Sequence, residues 1–407
     1  MRNPSLLLIF LLFTTTNVFT LGSRIESPGT FYNPATLTSQ RMESDPGQLA
    51  DIHDRKILLG LAINKLNVNY NGNSSFINPP VSATASGIAN SNTTRYVPAF
   101  NWSIRLNPRW IAGIKVGEPF NAALQYPEDS SARYTGYQSS VMAVSIGPEL
   151  AYQFNQKLSI GFGAEMQRVW FNFAAAVPIP NGAGGTVDYT FGNQLEAWGG
   201  GWFAGLFYNP RIGSYLGLTF YSAVSFHLSG DSTLTGSGGI ISNKTVQSTA
   251  NMTTPWSLRL DGFQALNRRW GINGSIEYVQ WSMLQRILLQ NTALGAFSQQ
   301  YSYKDTWRYA LGLRFQPAQK WSFFAGAAYH ESPSNPHLQR PLTPDKHFVS
   351  AGFAVERYFT RETSLKINYR HGFVGKNNIN YSTPITSAEG VTDAAANTVD
   401  LVLTIRK

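Results

Sequence analysis

Six histidines, 32 basic side chains, 23 acidic ones and no cysteine are the reactive inventory of this 407-residue chain. Thiolate chemistry and cysteine-bound zinc are excluded, because both need thiols. His227, His330 and His371 fall at the ends of alternating segments, and His53, His337 and His347 fall between segments. A serine hydrolase, such as an outer-membrane lipase, needs a nucleophile on a sharp turn within reach of such a base. None of the six histidines has an elbow-like turn nearby, so the sequence points away from an enzyme, and no cofactor or metal is expected. The remaining charges are more orderly. Arg105, Lys115, Glu149, Glu165, Arg259, Glu277, Arg308, Arg314, Glu356, Lys366 and Arg370 share one parity of their segments, opposite the apolar one. Mixed signs on one face call for ion pairing, since an unpaired charge away from water is costly.

The elements that carry these residues are strands. In 142–154 Met142, Val144, Ile146, Pro148, Leu150, Tyr152 and Phe154 alternate with Ala143, Ser145, Gly147, Glu149, Ala151 and Gln153. Period-two alternation of this kind marks a strand with two unlike faces. Fourteen such segments lie near 56–70, 97–106, 110–119, 141–154, 158–173, 194–208, 214–228, 255–266, 270–281, 304–315, 321–331, 347–358, 364–372 and 398–406. Short polar turns follow the even segments up to the twelfth, as at Asn107-Pro108-Arg109 and Asn267-Arg268-Arg269. After the odd segments the sequence predicts long polar loops, as at 71–96, 229–253 and 373–397. Alternating short turns and long loops are the pattern of an outer-membrane barrel. Trp110, Trp270 and Trp321 open segments after a short turn, while Phe154, Tyr208, Phe315 and Tyr358 close them before one. Amphipathic rings favour the headgroup level of a bilayer.

Composition agrees. Charged residues make up 14% and aromatics 13%, against roughly 25% charged in soluble proteins. The 43% hydrophobic content excludes disorder. Residues 1–22 read as a secretory signal, with Arg2 before the apolar run Leu6 to Phe13. The net charge of +9 is spread along the chain, which fits solvated turns and contact with outer-membrane lipid and lipopolysaccharide, and not nucleic acid. The expected fold is all-β, a transmembrane antiparallel β-barrel of fourteen strands over 56–407 with a short hatch-like segment at 23–55.

Several stretches resemble the FadL-type outer-membrane transporters of long-chain fatty acids and other hydrophobic compounds. Asn33-Pro34-Ala35 is similar to that family's hatch motif. Residues 113–154, including Gly117-Glu118-Pro119 and Gly147-Pro148-Glu149, follow its third and fourth strands. Ala197-Trp198-Gly199-Gly200-Gly201 and Trp281-Ser282 match further signatures, and the run from Lys304-Asp305-Thr306-Trp307-Arg308 through Glu331-Ser332-Pro333 to Pro344-Asp345 is the most specific. The resemblance covers roughly residues 31 to 375. It implies a monomer that captures ligand outside, binds it in the lumen and releases it sideways at a kink in the third strand, here Gly117, Glu118 and Pro119. It further implies that Arg168, Lys304, Asp305, Arg308 and Glu331 surround the ligand carboxylate. Two departures stand out. At most twelve residues, Leu21 to Tyr32, precede Asn33, which implies a shortened hatch, and the chain ends Ile405-Arg406-Lys407 where an aromatic is usual. A polar porin or adhesin is the alternative reading, suggested by the Asn-, Ser- and Thr-rich stretches.

Overall fold

The structure, a computed structural model, describes residues 46–52, 54–211 and 213–407. The signal segment, His53 and the Asn33-Pro34-Ala35 motif lie outside the described residues. The chain forms a closed antiparallel barrel of fourteen strands. In chain order they are β1 Arg55–Asn78, β2 Val81–Arg105, β3 Trp110–Gln125, β4 Gln138–Gln153, β5 Leu158–Pro180 and β6 Thr186–Arg211. Four interrupted strands follow: β7 Ser214–Tyr221 with Val224–Thr235, β8 Lys244–Thr254 with Ser257–Ala265, β9 Trp270–Val279 with Arg286–Thr292, and β10 Gly295–Gln300 with Thr306–Ala318. The set closes with β11 Trp321–His330, β12 Phe348–Tyr358, β13 Thr363–Ser382 and β14 Thr386–Arg406. β14 pairs with β1 from Lys56↔Arg406 to Phe76↔Thr386, so the sheet has no free edge there.

The short turns share one local device. The Oδ1 of Asn107 accepts hydrogen bonds from the backbone N–H of Arg109 and Trp110, both at 2.9 Å. Asn155 repeats this with Lys157 and Leu158, Asn267 with Arg269 and Trp270, and the Thr360 hydroxyl with Glu362 and Thr363. A side chain that mimics a backbone turn is the reason Asn, Asp, Ser and Thr begin such connections. These turns form one rim. The opposite, far rim differs from the sequence expectation. Residues 71–96 and 373–397 are not loops but continued hairpins, with β1 and β2 paired up to Asn78↔Val81. Residues 229–253 likewise pair as strands on either side of a short connection. Polarity misled the reading, because the Asn, Ser and Thr there share the strands with inward Ala85 and Ala89, both buried. A strand standing in water needs only one apolar face. The long connections at that rim are 126–137 and 331–347.

The outer face carries a continuous apolar band that includes Leu150, Phe162, Leu206, Leu216, Leu260, Ile276, Leu311, Phe353 and Ile367. Aromatic contacts border it: Trp110 with Tyr152, Trp270 with Phe315, and Trp321 with Phe323 beside the turn rim; Trp256 with Tyr278 and Tyr278 with Trp307 nearer the far rim. No helix among the described residues is long and apolar enough to cross a membrane, and the strands do that work. Leu311 lies near the middle of β10 and is 60% exposed. Leu311→Arg should destabilise the bilayer-folded barrel by roughly 2–4 kcal/mol, measured by reversible denaturant unfolding in vesicles; an unchanged midpoint would remove the band from the membrane.

Candidate functional site

Inward side chains form two tiers. Beside the turn rim the lumen is charged and hydrogen-bonded. Arg308 Nη1 lies 3.4 Å from Glu277 Oε2, Arg259 Nε lies 3.7 Å from Asp261 Oδ1, and Lys115 Nζ lies 3.9 Å from Glu149 Oε2. Lys115 also sits 3.4 Å from the centroid of the Phe203 ring, and Lys366 sits 3.9 Å from that of Phe324. Above this tier the same parity turns apolar. Val169, Phe171, Leu195, Phe226, Leu228, Met252, Val279, Trp281 and Leu289 belong to one buried cluster that lines the far half of the barrel. The change is written in the strands themselves: on β5, Glu165 and Gln167 give way to Val169 and Phe171.

Chain packs into the barrel at both ends. At the turn rim, residues 46–52 lie inside the barrel, where Leu49 and Ile52 pack on Ile111 and Ala151. Ser159 Oγ donates to the Gly47 carbonyl at 2.7 Å, and Arg105 donates to the Ile52 carbonyl through Nε at 3.0 Å and Nη2 at 2.6 Å. Gly161 is the seat of this plug, since a Cβ there would stand 2.2 Å from the Pro46 carbonyl carbon. At the far rim, connections 126–137 and 331–347 meet as a roof. Tyr126 Oη donates to the Pro341 carbonyl at 2.9 Å. Gly136 adopts a φ of +124°, and its Cβ would strike Leu342 Cδ1 at 2.6 Å, so only glycine fits. Asp345 is buried in this roof and accepts from Ser332 Oγ at 2.6 Å and Ser334 Oγ at 2.9 Å. Burial pushes its carboxyl above the usual aspartate range, opposed by those hydroxyls and by His347.

The wall is irregular at β3. Its ladder with β2 runs only from Arg105↔Ile111 to Phe100↔Val116, although β2 itself continues to Val81. Against β4 the register slips between Gly117 and Phe120, so Glu118 and Pro119 together oppose one residue. Pro119 has no N–H to offer a neighbouring strand, and a Cβ on Gly117 would meet nothing within 4 Å. Glu118 is buried, and its charge acts on Arg95, which faces inward from β2. Arg95 Nη1 reaches Met142 Sδ at 2.6 Å on β4. The break falls where the charged tier ends, one turn of the pleat above Lys115.

The five residues expected around a carboxylate do not converge. Arg168 has the outward parity of Phe162 and Met166, and pairs with Glu196 at 2.8 Å between Trp170 and Trp198. Lys304 is exposed, and its backbone N–H donates to the Pro333 carbonyl. Asp305 clamps the interruptions of β9 and β10 by accepting from Tyr278 Oη at 2.6 Å and Ser282 N at 2.9 Å. Glu331 accepts from Trp307 N at 2.8 Å. Of the five, only Arg308 faces the lumen, and it is paired. Placement fails for the others because a motif's proximity in sequence says nothing about which face of a strand, or which side of an interruption, a side chain takes. His330 approaches Ser350 with Nε2 to Oγ at 3.2 Å, but Ser350 is a fully buried residue within β12 with no turn to present it.

Comparison with known proteins follows the geometry. The family described as "Outer membrane protein transport protein (OMPP1/FadL/TodX)" matches residues 32–405. A long-chain fatty acid transport protein of Escherichia coli is 23% identical over 326 residues, 72% of each chain. Outer membrane protein P1 of Haemophilus influenzae is 22% identical over 309 residues, covering 68% of this chain and 65% of its own. Among solved structures, a Pseudomonas aeruginosa FadL homologue aligns with a TM-score of 0.81 at 17% identity, over 96% of this chain and 99% of that one. The toluene transporter TodX of P. putida aligns with a TM-score of 0.66 at 17% identity, over 89% and 93%. At such identities the structures establish the shared fold.

Gly161→Val should unseat residues 46–52 and raise single-channel conductance in planar bilayers; a variant as tight as the native protein would show that the plug is not held there. The Asp345 carboxyl binds its proton more tightly folded than unfolded. Its contribution to the roof is therefore full below the ordinary aspartate value of about 3.9 and is lost as pH rises through the raised one. Proteolysis within 331–347 should accelerate over that window, and Asp345→Asn should flatten the profile; a flat native profile would contradict the assignment.

Proposed function

The chain belongs to the OMPP1/FadL/TodX family of outer-membrane transport proteins, and from that premise we propose that it conducts long-chain fatty acids or similar hydrophobic compounds passively through a lateral opening beside β3. As a family member it is a transporter of the bacterial outer membrane and not an enzyme.

The observation that carries the reading is the meeting of three features at one level. The apolar tier ends, the charged tier begins, and the β2–β3 ladder stops between Phe100↔Val116 and the slip at Gly117. A hydrophobic molecule descending the lumen meets buried ions below it, and entering that layer would cost their pairing. The break in the wall at Gly117, Glu118 and Pro119 is the sideways exit into the lipid on this reading. Arg105, held on the Ile52 carbonyl, keeps the plug shut beneath, so the downhill route runs sideways and needs no energy source. The polar-porin reading is disfavoured by the same features, because water and ions would have to pass an apolar tier and a seated plug. The barrel acts as a monomer with its apolar band in outer-membrane lipid and its far-rim basic residues against lipopolysaccharide.

Deleting Glu118 and replacing Pro119 by valine restores both the register and a ladder N–H. Uptake of labelled palmitate and of toluene by cells carrying this variant should drop to the level of cells without the protein, while the folded barrel persists on unheated gels. Undiminished uptake through the repaired wall would sink lateral exit. Steady ion conductance by the native protein would instead favour a porin.

A further inference from the structure

The short turns share a second regularity besides their Asn and Thr caps. Each carries an exposed basic side chain: Arg109, Lys157, Arg211, Arg269, Lys320 and Arg361. Arg55, Arg406 and Lys407 extend the series where β14 meets β1. The exposed acidic side chains described at this rim are Asp54 and Glu362. At the far rim the signs are mixed. Arg133 pairs there with Asp188 and Arg168 with Glu196, and Glu128, Asp129, Asp231, Glu389 and Asp393 are exposed. The excess of positive charge therefore sits at the turns, and the ion pairs among the described residues use none of it.

Aromatic rings fix the level of these cations in the bilayer. Arg357 leaves β12 on the same outward parity as Phe353, and its guanidinium lies 5.3 Å from the Trp321 ring and 5.4 Å from the Phe359 ring. Arg109 Nη1 donates to Tyr152 Oη at 3.3 Å, and Tyr152 packs on Trp110. Arg268 and Arg269 directly precede the exposed Trp270. Such a girdle marks the headgroup layer, and the short turns of these barrels face the periplasm. A long basic side chain at that depth lays its stem on apolar surface and its charge among the lipid phosphates.

Crowded like charges repel one another, and no carboxylate is placed to relieve them. A phosphodiester fits the vacancy in sign and shape, because its oxygens accept both parallel hydrogen bonds of an arginine fork. Its acyl chains would lie on the apolar band. An acidic protein would approach from the periplasm and would not need cations interleaved with lipid-facing rings.

We propose that the turn rim is a binding surface for anionic phospholipid of the periplasmic leaflet, with Arg109, Arg268, Arg269 and Arg357 holding the phosphates. The surface is independent of the conduit reading. It selects net negative headgroups, since the amine of a zwitterionic lipid cancels the charge that the rim attracts.

The test is native mass spectrometry of the purified full-length protein in neutral detergent, titrated separately with dioleoyl phosphatidylglycerol and dioleoyl phosphatidylethanolamine, which share their tails. Beside it stand the rim triple Arg268→Gln, Arg269→Gln, Arg357→Gln and the far-rim triple Lys304→Gln, Lys346→Gln, Lys376→Gln, which loses the same charge. Unheated-gel mobility confirms folding of each. The native protein should bind the glycerol lipid about tenfold more tightly, and salt should shrink the difference, because exposed charges are screened. The rim triple should bring the two lipids within about twofold of each other, and the far-rim triple should keep the preference. Arg357→Gln alone should lose part of it and serves if the rim triple does not fold. Equal native binding of the two lipids overturns the assignment. So does a preference that survives in the rim triple or falls as far in the far-rim one. Equal lipid binding together with an acidic periplasmic protein retained by the native chain and not by the rim triple would replace lipid with protein at this surface.

Discussion

Every backbone N–H and C=O in the wall of this barrel must be paired within the sheet, because hydrocarbon offers no partner. That requirement drives the closure of β14 onto β1 along an unbroken register. It also fixes side-chain direction, since each pleat sends alternate residues to lipid and to lumen. The interruptions of β7 to β10 obey the same accounting. Asp305 takes up Tyr278 and the Ser282 N–H, and Gln285 backs the Tyr303 carbonyl at 3.0 Å, so the broken ends find side-chain partners.

That pairing is relaxed at β3. A proline and an extra residue stop the ladder, at a level where the interior changes from ionic to apolar. The two tiers serve each other. The ion pairs below are tolerable only with their partners in place. The apolar tier above is roofed by loops whose fit depends on small contacts, such as Gly136 against Leu342.

Charge follows the same logic of compensation. Lys115 and Lys366 each lie over an aromatic ring, and Arg308 and Arg259 have carboxylates. Arg340 has rings and no carboxylate among the described residues.

Much of this was legible along the chain. Alternation located fourteen strands, and the inward parity of Lys115, Glu149, Glu277 and Arg308 predicted buried ion pairs that the structure contains. The Gly117-Glu118-Pro119 irregularity was readable because proline and glycine disturb a ladder by covalent structure alone. Extents were not legible. Residues 71–96 were read as loop because polarity suggests solvent, whereas a strand in water needs only a few apolar residues such as Ala85 and Ala89 on its inner side. Nor were convergences, and for one reason: period-two parity is local, so the sequence by itself determined which neighbours share a face. Which strands lie side by side, how far a ladder runs and which loops meet across the mouth depend on pairings hundreds of residues apart. Only the tertiary structure put Arg168 outside beside Glu196, brought Gly161 under Pro46, and enclosed Arg340 between Tyr301 and Tyr381.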